Sequence, residues 1–100
     1  MNAYQGIINA VLFVIIAASA ASVQAAGDAA AGAEKARGCA SCHGIDGKGR
    51  IPLAGKNANY LAEQLRAFKS GVRKDQMMNM MANSLSEQDI ADLAAYFSSK

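Results

Sequence analysis

The sequence predicts a small all-α domain built on three main helices. Three observations predict it. Apolar residues recur at helical spacing in separate segments, best seen at Ile90, Leu93, Ala94 and Phe97, which stand at i, i+3, i+4 and i+7. No stretch alternates apolar and polar residues as a half-buried strand would. The 100-residue length allows one domain with a short core.

The elements follow in chain order. Residues 1–25 read as a secretory signal peptide and residues 26–100 as the domain. Ile7 to Ala18 is an apolar run broken only by Asn9, small residues follow, and Val23-Gln24-Ala25 suits a signal peptidase. Cleavage is expected after Ala25, with Ala26 next best. The n-region carries no Lys or Arg, so an uncleaved leader acting as a membrane anchor is the alternative. The run is short and diluted with Ala and Ser for a stable span, so none is expected after cleavage. The leader points to export and a periplasmic location.

The first helix is expected to start at Asp28, a good N-cap, and to run to Arg37, with Gly38 as its stop. Gly32 within it weakens the helix by about 1 kcal/mol relative to Ala, which suggests close contact with another helix. A Gly-rich loop follows, with Gly44, Gly47, Gly49, Pro52 and Gly55. The second helix is expected from Asn57 or Asn59, with Leu61, Leu65 and Phe68 on one face and Gly71 at its end. A Met-rich segment, Met77 to Met81, joins it to the third helix. That helix opens with Ser86-Glu87-Gln88-Asp89, a capping box with Asp in place of the usual Glu or Gln.

Charge and composition exclude several functions. Ten Lys and Arg against eight Asp and Glu leave a formal net charge of +2, too slight for a nucleic-acid binder. Two Cys and one His are too few for several disulfides or for a four-ligand Cys/His zinc site.

All three of those residues stand together in Cys39-Ala40-Ser41-Cys42-His43. This spacing is the c-type haem attachment signature. Two thiols three positions apart on a helical turn reach the two vinyl groups on one side of a porphyrin, and the adjacent His lies under the iron as proximal ligand. Three plainer readings fit less well. A thiol–disulfide redox pair expects a βαβ context, half a zinc site lacks its other half, and a structural disulfide leaves His43 unexplained. With no second His, the opposite axial ligand falls to Met77, Met78, Met80 or Met81, and Met/His ligation raises the potential. The plainer role for these methionines is adaptable core filling.

The segments at residues 39–47, 51–55, 60–71 and 85–97 give the chain a resemblance to class I c-type cytochromes. It is similar to small single-haem bacterial cytochromes and also resembles the cytochrome subunits of flavocytochrome c sulfide dehydrogenases. The resemblance implies the small cytochrome c fold, three main helices wrapped around one covalently bound haem c. It implies that the ligand Met lies eight residues before the Ser capping the last helix, which selects Met78, with Met77 and Met81 as rivals. It implies that Pro52 accepts a hydrogen bond from His43 and fixes the ring, and that Gly32 meets Leu93, Tyr96 or Phe97.

A haem iron with His on one side and Met on the other has no open site, which leaves one-electron transfer and an electron carrier rather than an enzyme. The expected partners are redox protein donors and acceptors: a membrane oxidase, a reductase or a flavoprotein. A monomer is expected unless the chain is the cytochrome subunit of a larger oxidoreductase. A haem sensor or peroxidase-like enzyme would need a labile Met. Lys48, Arg50, Lys56, Lys69, Arg73 and Lys74 flank the haem segments and would steer acidic partners, although Asp46, Glu63 and Asp75 dilute that patch.

Overall fold

The computed structural model describes residues 26–100, so the expected leader lies outside the described residues. Helix α1 spans Ala29–Lys35, and a 3₁₀ turn continues it through Ala36–Cys39. A single α-turn, α2, covers Ala40–His43. Helix α3 spans Ala58–Ser70, α4 spans Gln76–Asn83 and α5 spans Glu87–Ser98. Among the described residues there is no strand, and the all-α expectation holds.

The helix starts follow from their caps. The Asp28 carboxylate accepts the Ala30 and Ala31 N–H groups, and the Asn57 side chain accepts the Tyr60 N–H. Ser86 and Asp89 form the expected capping box. Gly71, at φ +82°, closes α3 in the left-handed conformation open to glycine.

Two elements differ from expectation. Gly38 does not stop the first helical segment; the chain passes through it as a 3₁₀ turn and reaches His43, and Gly44, at φ +78°, ends it. The Met-rich segment is a full helix, α4, rather than a connector. Asp75 caps it by accepting the Met78 N–H at 2.9 Å.

The core is formed by Ala36, Leu61, Ala62, Ile90, Leu93, Ala94, Tyr96 and Phe97. Helix α5 supplies most of it and packs against both α1 and α3. Its approach to α1 is too close for side chains on both sides. A Cβ on Gly32 would lie 2.0 Å from the Asp92 carbonyl oxygen and 2.8 Å from the Tyr96 Cβ. So Gly32 meets Tyr96 as the resemblance implied, but its tightest contact is the Asp92 backbone. Gly27 sits equally close to the Ala91 carbonyl oxygen.

A buried carboxylate locks this junction. Asp92 is 2% exposed. It accepts the Asp28 N–H at 2.8 Å, the Gln88 amide at 2.8 Å and the Lys35 ammonium at 2.6 Å. Lys35 also reaches Asp89 at 2.9 Å. The backbone N–H of Asp28, then Lys35 and Gln88, hold the Asp92 carboxyl down from 3.8 to about 2. Lys35, then the Ser86 N–H and hydroxyl, bring Asp89 to about 2 as well. Lys35 is raised in return, chiefly by Asp92.

Candidate functional site

The Cys39–His43 segment is placed from both sides. On its N-terminal side the 3₁₀ turn carries Cys39 in from α1, with Ala36 fully buried beneath it. On its C-terminal side the Gly-rich loop folds back on the motif, with the Gly49 N–H donating to the His43 carbonyl at 2.7 Å and the Ile51 N–H to the Cys42 carbonyl at 3.0 Å. The return is possible because Gly44 and Gly49 touch. A Cβ on Gly49 would lie 2.6 Å from the Gly44 nitrogen.

This loop orients His43, which is nearly buried at 9% exposure. Its Nδ1 lies 2.7 Å from the Ile51 carbonyl oxygen. A carbonyl has no proton to give, so Nδ1–H is the donor and Nε2 is the nitrogen left for a metal. The acceptor expected from the resemblance, the Pro52 carbonyl, does not make this bond. The acceptor is one peptide earlier, the Ile51 carbonyl that is bonded to the Pro52 nitrogen. Pro52 acts on the ring indirectly, because proline restricts the preceding residue to extended backbone and so sets the Ile51 carbonyl.

His43, Cys39 and Cys42 line one cleft of about 450 Å³. Its walls are mostly apolar, with Leu61, Leu65 and Phe68 from α3 and Leu93 and Phe97 from α5. Met77 and Met78 of α4 line the same cleft, and a smaller annexe of about 200 Å³ adds Met81. The methionines are not equivalent. Met78 is half-buried, whereas Met77, Met80 and Met81 are exposed. Met80 is 63% exposed and lines neither space.

The donor chemistry favours a soft, flat, covalently held group. Both cysteines are free thiols. Burial pushes the Cys39 thiol above its ordinary value, the opposite of the depressed pKa that a thiol–disulfide redox pair needs. Among the described residues no third Cys, His, Asp or Glu joins them as a metal cluster. Two thiols on one helical stretch, an imidazole whose Nδ1 is taken by a carbonyl, a thioether lining the same cleft and largely apolar walls suit haem c.

The basic residues do not form one free patch. Lys56 and Arg73 line the cleft. The Arg73 guanidinium bonds the Gln64 side-chain oxygen at 2.6 Å and stacks over the Phe68 ring at 4.5 Å, and the Lys69 ammonium donates to the Leu85 carbonyl. Sequence reading missed the Ile51 carbonyl and the two polar residues that frame Met78, Asp75 and Asn79. The Asp75 cap was the available signal, an Asp two residues before the first methionine of the segment.

Comparison with known proteins bears on this site. The family model for cytochrome c matches residues 29–100. Cytochrome c-554(548) of Halomonas halodenitrificans is 48% identical over 82 residues, which cover 75% of this chain and 99% of that protein. Cytochrome c4 of Pseudomonas aeruginosa is 48% identical over 80 residues, 76% of this chain but 40% of that protein. The crystal structure of cytochrome c4 from Pseudomonas stutzeri superposes with a TM-score of 0.70 at 42% identity, covering 75% of this chain and 46% of that one. The chain thus spans less than half the length of these two cytochromes c4 and nearly all of the c-554(548). A family model that spans nearly the whole described chain, together with these relatives, shows that the chain belongs to the cytochrome c family, as a carrier of electrons on covalently bound haem c.

Proposed function

We propose that this protein is a periplasmic carrier that moves one electron at a time between a donor and an acceptor protein. In this reading residues 1–25 direct export and residues 26–100 are the mature domain. Cys39 and Cys42 would hold the haem through thioethers, and His43 Nε2 and the Met78 sulfur would bind its iron. Haem c supplies a single-electron Fe(III)/Fe(II) couple.

The chain's own residues do the rest. His43 is held by the Ile51 carbonyl, which fixes its tautomer and makes Nε2 the basic nitrogen. An iron held by both His43 and Met78 would have no position open to a substrate. The apolar walls exclude water and, with the thioether, favour the reduced state. The reading rests most heavily on Met78, which is the half-buried methionine of the four on α4 and borders the cleft that His43 lines. Met77 and Met81, the rivals, are exposed.

One variant and one mass test this. Mature protein should weigh its polypeptide plus one haem, with the chain beginning at Ala26. Its oxidised spectrum should carry the weak band near the red end that marks Met–iron ligation. Met78→Ala should keep the haem, lose that band and bind added cyanide or carbon monoxide readily. An unchanged spectrum in Met78→Ala would move the ligand to Met77 or Met81. Co-purification with a flavoprotein would mark the chain as the cytochrome subunit of an oxidoreductase instead.

A further inference from the structure

A capping box is normally closed by the side chain at the third helical position, which reaches back to the N-cap N–H. In α4 that third position is Met78, whose side chain is not available for capping in the reading above. Asn79, the next residue, takes over the task. Its Oδ1 accepts the Asp75 N–H at 2.9 Å. Its Nδ2 donates to the Phe68 carbonyl at 2.8 Å and to the Arg73 carbonyl at 2.8 Å. The amide orientation is set by these partners, since two carbonyls require the NH₂ and one N–H requires the oxygen. Asn79 is half-buried, so these bonds are partly shielded from water.

One side chain thus joins three backbone segments: the end of α3, the 71–74 turn and the first turn of α4. Asp75 closes the ring by accepting the Met78 N–H at 2.9 Å. The rotation of α4 about its axis, and with it the direction of the Met78 side chain, is fixed relative to α3, which walls the cleft. We infer that Asn79 is a positioning residue that keeps the Met78 sulfur on the iron. The inference rests on the reading of Met78 as axial ligand.

The test uses the haem-loaded protein. Asn79→Leu removes all three bonds at similar volume. Asn79→Asp keeps the acceptor for the Asp75 N–H and loses both donors, and it carries the test if the Leu variant does not fold. Ser86→Ala is the control, because it removes the helix cap of α5, beyond the opposite end of α4 from Asp75 and Asn79. The Asn79 variants should show a weakened red-end band and bind cyanide at least about tenfold faster than wild type. Ser86→Ala should lower thermal stability and leave both readouts unchanged. Wild-type band and cyanide rate in the Asn79 variants would overturn the inference, as would an equal acceleration in Ser86→Ala. Met78→Ala separates the two readings. If it keeps the band, the ligand assignment fails and the inference falls with it. If it loses the band while the Asn79 variants behave as wild type, only the inference fails.

Discussion

At the residue scale, single atoms decide whether this fold closes around its cofactor. Gly32 and Gly55 show how differently two glycines behave. A methyl at Gly32 would strike the Asp92 carbonyl oxygen at 2.0 Å, a backbone group that cannot swing away. Gly55 has nothing within 4 Å, and its constraint is a φ of +74°. Gly32→Ala is therefore expected to cost about 3 kcal/mol or more, by forcing α1 off α5. Gly55→Ala should cost about 1–2 kcal/mol, the strain of a left-handed residue. Guanidinium unfolding of the two variants checks the ranking, and equal losses would refute it. The Cys39-x-x-Cys42-His43 group was legible because its chemistry depends on spacing alone. The Ile51 carbonyl was not, because it faces His43 only after the loop turns back at Gly44 and Gly49.

At the element scale, end groups rather than propensity set the helices. The Ser86 box was visible in the sequence, since both partners lie within four residues of each other. Helix α4 was only partly legible: Gln76, Asn79 and Asn83 stand at i, i+3 and i+7 as a polar face, but at eight residues the segment is too short for that pattern to separate a helix from a connector. Its stability comes from Asp75 and Asn79 at the start and from Ala82, which is fully buried. Asp75→Ala removes the bond to the Met78 N–H and should destabilise the protein by about 1 kcal/mol. It should also weaken the red-end band, whereas a cap lost elsewhere would not. Paired thermal melts and optical spectra of Asp75→Ala and Ser86→Ala test this.

At the scale of the whole molecule, one buried carboxylate ties the beginning of the domain to its end. Asp92 and Asp89 are both held at about 2 in the folded state against an ordinary 3.8. Their folded values are depressed, so the stability they add is present above the ordinary value and is lost as pH falls through about 2. Denaturant midpoints should thus drop steeply from about pH 5 towards about pH 2. Asp92→Asn should lower stability at neutral pH, because it weakens the bonds from Lys35 and the Asp28 N–H, and should flatten that acid dependence. An acid profile as steep as wild type would count against it. The other whole-molecule constraint is the cleft. A mostly apolar cleft of about 450 Å³ in so small a domain is where a haem would add to the core. Cys39→Ser or Cys42→Ser should lower both haem attachment and folded yield, measured as absorbance per unit of protein.

The amino-acid order alone determined the helical class, the caps at Asp28 and Ser86, and the attachment group at residues 39–43, because each is a short-range matter of spacing and local hydrogen bonding. Tertiary structure alone decided that Ile51 rather than Pro52 orients the imidazole and that Asp92 is buried under the start of α1. Those outcomes join residues brought together by chain reversal and packing, and local pattern carries no record of which distant groups will meet.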